Sequence, residues 1–482
     1  MSRESERLFD AITQIDDELL PSAERPKRRL PSWRAFAAAA AILAIILSPY
    51  VLHTYVLRFG GSRGMVEEAA NGTEPFALAQ PVYPVMAAYP TDGDGDYEAW
   101  RADVQKQTDQ PEGYAASLKP FLRESIRTFL TGAGTENRAY SPANVYMALA
   151  MLAETTDGES RTQILNLLGA ESIESLRAQA GSVWNANYRD DGATKSVLAS
   201  SLWLRDGRDY RQQTVDSLAQ NYYASVFRGE MGSAAYDQAL QRWLNEQTGD
   251  LLTEQAAQEH LDADTLLALA TTIDFRASWW GNFSEEATAP GIFHGAQGDE
   301  TVDMMHQSDM LSCHYGAGYA AVGLILQSGG TMWFLLPDEG SSPEALLENE
   351  EALTFFMERP KHLLEETPLV HLTLPKFDVS SRISLLDGLR SLGVTDVCDA
   401  ARADFSPLGG EMEGAYLSDA THAARVVIDE EGVTAAAYTL MAVDESAADP
   451  GSAITFTVDR PFLFVITGDQ GLPLFAGIVN QI

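Results

Sequence analysis

Apolar positions along this chain follow two different patterns. Residues 115–131, 143–153 and 236–245 repeat them at the three- and four-residue spacing of one buried helix face. Elsewhere the apolar residues form short continuous runs, which are typical of buried strands. These runs occupy residues 196–204, 320–326, 331–336, 370–377, 424–428, 454–458, 462–466 and 474–479. Early helices followed by many strands, without regular alternation, predict an α+β domain.

A long apolar stretch lies near the N-terminus, where residues 35–57 carry no formal charge. It is long enough to cross a hydrocarbon core of about 30 Å, so it predicts a transmembrane helix. No clear small-residue cleavage site follows, which favours an uncleaved signal anchor over a secretory signal peptide. Basic residues precede the stretch and an acidic segment follows it. This asymmetry places the N-terminus in the cytosol and the rest of the chain outside.

The sequence is therefore divided into four parts. Residues 1–34 are expected to form a cytosolic tail, 35–57 the anchor, and 58–97 an extracytoplasmic linker rich in Gly, Pro, Ala and Asp. Residues 98–482 are expected to form the folded domain. The expected location is a cell membrane that the chain crosses once, and a bacterial cell surface fits this arrangement.

The charge of the chain excludes one class of partner. It has 69 acidic and 33 basic side chains, and its formal net charge is −36. Such a chain repels nucleic-acid phosphates. We therefore expect no nucleic-acid partner.

The cysteine and histidine patterns predict neither a metal site nor an enzyme. Cys313 and Cys398 are far apart and form no disulfide framework and no zinc motif. Two separate buried thiols are favoured, and one bridge between them remains an alternative outside the cytosol. No His-Glu-x-x-His motif is present, so a surface-anchored hydrolase of that class is disfavoured. We predict no catalytic residue, no metal and no cofactor.

Several motifs are informative because of their order. They lie at 141–145 (SPANV), 243–249 (WLNEQTG), 271–279 (TTIDFRASW), 374–377 (LPKF), 418–439 (SDATHAARVVIDEEGVTAAAYT) and 459–464 (DRPFLF). On these residues the chain resembles the serpins, from near residue 114 to its end. Each motif alone is weak, whereas the whole series in one order is specific.

This resemblance implies both a fold and a mechanism. The fold would be α+β, with about nine helices, three β-sheets and an exposed reactive-centre loop. The function would be irreversible suicide-substrate inhibition of a serine or cysteine protease. A protease that cleaves the loop is held as a covalent acyl-enzyme while the loop inserts into the central sheet. The implied partner is thus a target protease, and the implied state is a monomer.

The resemblance also places the hinge of the loop at residues 430–439. The hinge consists of Glu430, Glu431, Gly432, Val433, Thr434, Ala435, Ala436, Ala437, Tyr438 and Thr439. Because successive strand residues face opposite sides of a sheet, every second side chain would enter the core after insertion. The inward set would be Val433, Ala435, Ala437 and Thr439. These side chains are small and uncharged, so the hinge is expected to be able to insert.

Four further residues acquire structural roles from the resemblance. Ser141, Thr271 and His422 match a polar cluster beneath the opening sheet, which is called the shutter. Trp279 matches a core residue at the top of the sheet, in the breach. Serpins usually carry Asn at the position of Thr271, and a Thr hydroxyl reaches less far than an amide.

The resemblance implies a cleaved bond at a fixed distance after the hinge. With Glu430 counted as the seventeenth residue before the cut, this bond lies between Ser446 and Ala447. A small residue there suits an elastase-like or subtilisin-like protease. Glu445, Met441 and Leu440 remain alternative cleavage positions. No basic residue lies between Arg425 and Arg460, so trypsin-like targets are disfavoured.

One alternative stays within the same family. A non-inhibitory serpin could act as a surface binding module without trapping a protease. Such serpins tend to carry bulky or charged hinges, whereas this hinge is rich in alanine.

Overall fold

The structure is a computed structural model that describes residues 76–90, 96–111, 113–327, 329–358, 368–410, 412–433 and 453–482. By its contacts, the described part belongs to one compact unit, Pro75–Ile482. The predicted anchor at 35–57 lies outside the described residues. Among the helices that are described, none has the length and apolar character needed to span a bilayer.

The described residues contain eleven α-helices. They are α1 (Tyr97–Thr108), α2 (Lys119–Leu130), α3 (Pro142–Thr155), α4 (Gly158–Leu168), α5 (Ile173–Asn187), α6 (Gln212–Asn221), α7 (Ala234–Thr248), α8 (Thr253–Ala256), α9 (Pro343–Leu347), α10 (Glu350–Met357) and α11 (Leu386–Ser391). The resemblance implied about nine. The count of eleven includes very short helices such as α8 and α9.

Eighteen strands accompany these helices in the described part of the chain. They are β1 (Ala77–Ala79), β2 (Arg138–Tyr140), β3 (Arg189–Asp190), β4 (Lys195–Arg205), β5 (Ala224–Gly229), β6 (Leu267–Ser278), β7 (Ala289–Gly295), β8 (Gly298–Met310), β9 (Ser312–Gly316), β10 (Tyr319–Ile325), β11 (Thr331–Pro337), β12 (Leu369–Pro375), β13 (Phe377–Ser384), β14 (Thr421–Ile428), β15 (Gly432–Val433), β16 (Ile454–Thr457), β17 (Phe462–Thr467) and β18 (Pro473–Val479).

The strands form three sheets, as the sequence predicted. The first has the order β1-β5-β4-β6-β15-β14-β13, with β3 paired to β4. The second has the order β2-β18-β17-β11-β10-β9, and the third has the order β16-β12-β8-β7. Helices and strands are thus mixed without regular alternation, which confirms the α+β class.

Helix α3 occupies the centre of the core between the first and second sheets. It is buried on almost every side, as its nearly unbroken apolar sequence requires. Ser141 caps its N-terminus, where the Ser141 hydroxyl accepts a hydrogen bond from the Asn144 amide at 3.3 Å. The two sheets also meet directly, since the rings of Phe275 in β6 and Phe475 in β18 are 6.3 Å apart.

The segment 76–90 corrects the predicted linker, because it packs on the folded domain. Its strand β1 pairs antiparallel with β5 at the edge of the first sheet. The Tyr83 ring lies 5.3 Å from that of Trp184, and the Tyr188 hydroxyl donates to the Pro84 carbonyl at 3.1 Å. The compact unit therefore begins at Pro75, upstream of the expected boundary at 97/98. The segment 76–90 contains three prolines and no clear strand period, so the sequence pattern did not reveal a strand.

Replacing Tyr83 by alanine is expected to lower the free energy of unfolding by about 2–3 kcal/mol. The substitution removes a partly buried ring that contacts Trp184, Tyr188 and Tyr223. Val82→Ala is the matched control, because Val82 is 87% exposed. Urea unfolding curves of both variants would test this, and equal midpoints would show that segment 76–90 adds no stability.

Both cysteines are free and partly buried in the structure. Burial raises the pKa of the Cys313 thiol to about 11. Burial also raises the pKa of Cys398. The two thiols are therefore separate, and a bridge between them is not formed in this conformation.

Candidate functional site

A gap between two strands of the first sheet is the candidate site. Strand β6 and strand β14 are held apart at one end by β15, which has only two residues. Gly432 pairs with Ser278, and Val433 pairs with both Ala277 and Ile428. Among the described residues, β6 and β14 form no backbone pairing below this point. Each strand therefore presents an unpaired edge to the gap, and we call this gap the slot.

The lower part of the slot opens into a cavity of about 250 Å³. Its walls are the first half of β6, the start of β14, and helices α7 and α8. The β6 residues Leu267 and Leu269 are only partly buried because they face this space. A cavity of mixed polar and apolar lining beside two unpaired strand edges can accept an additional strand.

Gly432 is required at the upper end of the slot by a close backbone approach. A Cβ atom added there would lie 2.3 Å from the Ala277 carbonyl oxygen and 2.7 Å from the Ser278 Cα atom. Both contacts are to backbone, so neither can move aside easily. The residue that begins β15 must therefore lack a side chain.

The register of β15 defines how a longer strand would continue into the slot. Val433 is 2% exposed and lies opposite Ala277, which faces the core. Continuing this antiparallel register would set Ala435 opposite Phe275 and Ala437 opposite Ile273. The hinge residues 434–439 and the proposed cleavage positions Leu440, Met441, Glu445, Ser446 and Ala447 lie outside the described residues.

The buried Glu430 forms an ion pair with the partly exposed Lys376 just before β15. Its carboxylate accepts from Lys376 Nζ at 2.9 Å and from the Thr288 hydroxyl at 2.7 Å. Burial alone raises the pKa of Glu430, but the hydrogen bonds from Lys376 and Thr288 outweigh it and lower the pKa below its ordinary value. Glu430 is thus a charged anchor that ties the start of the loop to Lys376, between β12 and β13, and to Thr288, just before β7.

Trp279 also holds the residues just before β15. Its indole Nε1 donates to the Asp429 carbonyl at 2.9 Å, and its backbone N–H donates to the Glu431 carbonyl at 3.0 Å. The side chain is 1% exposed. Trp279 therefore lies at the top of the slot, where the strand would first have to enter.

Two of the three predicted polar residues contact each other directly. The Ser141 backbone N–H donates to Nε2 of His422 at 3.0 Å. This bond requires a neutral imidazole whose Nε2 carries no proton. Full burial lowers the pKa of His422 to about 4, so the ring is neutral near pH 7. The pair joins the N-terminus of α3 to β14.

Thr271 does not join this pair, because no hydrogen bond links its side chain to Ser141 or His422 among the described residues. It lies opposite Ser200 in β4 and lines the cavity. The Asn144 amide is buried nearby on α3, and neither of its polar atoms has a hydrogen-bond partner in the described chain. The polar cluster is thus only partly connected across the slot.

Some residues of this site were missed at the level of sequence. Lys376 and Thr288 belong to matching motifs, but nothing in their local pattern shows that they meet Glu430. Lys376 is 54 residues away from Glu430 in the chain. The available signal for Lys376 was its position as a lone lysine after Leu374-Pro375, in an otherwise apolar run.

Acidification is expected to destabilise the folded protein through His422. Below its ordinary pKa of 6.5, the unfolded chain takes up a proton that the buried ring, with a pKa of about 4, does not. The stability from the neutral ring is therefore complete above pH 6.5 and is lost as the pH falls to 4, by about 3 kcal/mol.

Urea unfolding of the parent and of His422→Gln at pH 7 and pH 4 would measure this loss. A Gln amide oxygen can accept the Ser141 bond but does not titrate. The parent should lose more stability than the variant, and an identical pH dependence of the two would contradict this role for His422.

The chain belongs to the serpin family. The family model described as "Serpin (serine protease inhibitor)" matches residues 120–482, most of the chain. Proteins of this class are described as protease inhibitors.

This chain aligns with nearly the whole length of its curated relatives. Putative serpin-Z12 of Oryza sativa subsp. japonica is 27% identical over 416 residues, which are 81% of this chain and 96% of the relative. Alpha-1-antitrypsin 1-3 of Mus musculus is 27% identical over 390 residues, which are 78% of this chain and 92% of the relative. These relatives come from a plant and a mammal, so they give no support to the expected bacterial-type, membrane-anchored member.

Solved structures have the same fold. The thermophilic serpin tengpin in its native state has a TM-score of 0.69 at 23% identity and covers 78% of this chain and 96% of its own. A thyroxine-binding globulin in complex with thyroxine has a TM-score of 0.66 at 21% identity, with 76% and 98% covered. At these identities the likeness shows the fold alone.

Proposed function

We propose that this chain irreversibly inhibits a serine protease by cleavage of its loop and insertion of the cut strand into the slot; a cysteine protease is an alternative target. The observation that carries the proposal is the slot itself. Among the described residues, strands β6 and β14 present unpaired edges to the slot, and only Gly432 and Val433 lie between them. The segment that follows Val433 is the chain's nearest source of a strand to fill them. The protease would be held as a covalent acyl-enzyme while this happens.

The energy available from insertion is sufficient for such a trap. About fifteen inserted residues, each gaining roughly 0.5–1.5 kcal/mol per new ladder hydrogen bond, give on the order of 10–20 kcal/mol. This exceeds the ordinary stability of a domain, which is roughly 5–15 kcal/mol. Distortion of a bound protease's active site is thus energetically possible.

The sequence of the loop supports a preference among targets. A cut between Ser446 and Ala447 would suit elastase-like or subtilisin-like enzymes with shallow pockets. Cleavage after Glu445, Met441 or Leu440 would suit other specificities. The absence of Lys and Arg between Arg425 and Arg460 disfavours trypsin-like targets.

The proposed location is the outer face of a cell membrane. The chain would cross this membrane once, at residues 35–57, with its N-terminus in the cytosol. Its support is the uncharged length of that stretch and the basic residues before it. A bacterial cell surface and a monomeric inhibitor are part of the same proposal. Shaving intact cells with an unrelated protease should remove the domain, and a protected domain would count against this location.

Mixing the full-length chain, solubilised in detergent, with pancreatic elastase or subtilisin tests the inhibitory function. We expect a complex that survives on a denaturing gel, together with a released C-terminal peptide whose mass locates the cut. Protease with a blocked catalytic serine is the control and should give no complex. Simple clipping by proteases that stay active would reject the trap.

The second candidate is a non-inhibitory binding module. The structural neighbour thyroxine-binding globulin, seen in complex with thyroxine, supplies the reason to keep it. The chain would then be clipped without forming a covalent complex, and clipping would leave its stability unchanged.

A further inference from the structure

Three large apolar side chains are exposed together beyond the end of β6. Trp280, Ile325 and Met310 are 60%, 53% and 48% exposed. Single exposed apolar residues are ordinary on protein surfaces, whereas a group of them marks a surface that contacts a partner. We call these three residues the Trp280 patch.

The backbone brings the three residues together. The Trp280 N–H donates to the Ile325 carbonyl at 2.8 Å. Met310 ends β8 and lies two residues before Ser312, whose partner Gly323 lies two residues before Ile325. A Cβ atom added at Gly281 would lie 3.2 Å from an Asp309 carboxylate oxygen, so the residue after Trp280 is close to the one before Met310.

The patch lies between the two ends of the loop. At the N-terminal end, Gly432 pairs with Ser278, which is two residues before Trp280. At the C-terminal end, Ile454 pairs with Val370 in β12. The neighbouring β12 residue, Leu369, pairs with Met310. A body that grips the connecting segment 434–452 must therefore approach this surface.

We propose that the Trp280 patch is a docking surface for the body of the target protease, separate from the bait loop. This inference rests on the proposed inhibitory function. Aromatic residues, and Trp above all, dominate the energy of protein interfaces when they become buried there. Asp309 adjoins the patch and the chain carries a net charge of −36. The matching protease surface is therefore an apolar rim with basic residues around it.

The test compares rates of complex formation by full-length variants in detergent, with pancreatic elastase and subtilisin as probes. Trp280→Ala should lower the second-order rate constant by about 30-fold, which corresponds to about 2 kcal/mol at about 1.4 kcal/mol per tenfold. The number of inhibitor molecules consumed per trapped protease should not change, because the slot is untouched. Trp280→Phe should retain most of the rate.

Ile292→Ala is the matched control. Ile292 is also 48% exposed, and it pairs with Thr301, nine residues along β8 from Met310. That separation is about 30 Å along the strand. The control should keep the parent rate, and thermal unfolding should show both variants folded like the parent.

The outcomes separate this inference from the function on which it rests. If the parent forms the covalent complex and Trp280→Ala forms it equally fast, the docking surface is overturned and the trap stands. A slower rate accompanied by more inhibitor consumed per protease would assign Trp280 to loop insertion and would also overturn docking. No complex from the parent with either protease would overturn both.

Discussion

Cleavage between Ser446 and Ala447 is expected to raise the melting temperature by about 20 °C or more, since each kcal/mol of added stability is worth about 2 °C in a large domain. Before cleavage, β6 and β14 each have an edge below Val433 that no described residue pairs with. After cleavage, the freed segment can pair with both edges and fill the cavity of about 250 Å³. The gain of on the order of 10–20 kcal/mol comes from these new hydrogen bonds.

Scanning calorimetry of intact chain and of chain nicked by a catalytic amount of protease would measure the shift. The nicked sample should keep its C-terminal fragment, because β16, β17 and β18 belong to the second and third sheets. Equal melting temperatures would mean that the cut strand stays outside the slot. The inhibitory mechanism would then be untenable.

Replacing Ala435 by glutamate is expected to convert the inhibitor into a substrate. In the continued register, residue 435 lies opposite Phe275, which is 4% exposed and packs against Phe475. A carboxylate there would lose several kcal/mol of hydration without a partner, so insertion would slow relative to hydrolysis of the acyl-enzyme. We expect at least about tenfold more inhibitor to be consumed per protease trapped, since one tenfold change needs only about 1.4 kcal/mol.

Thr434→Glu provides the matched control one residue away. Its side chain would face the opposite side of the sheet, opposite Arg276, whose guanidinium already contacts Asp274. The same added charge should therefore be tolerated there. Titration of residual protease activity against each variant would compare them. Equal behaviour of the two variants would show that inserted residues do not alternate as β15 indicates.

The sequence predicted individual elements of this fold well, because these depend on the local pattern of residues. The helix α3 could be anticipated from the apolar run at 143–153, and Ser141 is a good cap for it. The alternation of small residues after Gly432 also follows from strand geometry alone. Segment 76–90 could not be anticipated, because its short strand is stabilised by β5 and by aromatic rings from α5 rather than by its own composition.

By itself, the sequence determined the family and the α+β class, and it predicts a hinge whose inward side chains are small. The tertiary structure decided that β6 and β14 do not pair with each other among the described residues, that Lys376 and Thr288 hold Glu430, and that His422 bonds to the start of α3. The reason is physical: periodicity and capping act within one element, whereas an open strand edge or a buried ion pair exists only when distant segments meet. Such a meeting leaves no trace in the local pattern of either segment.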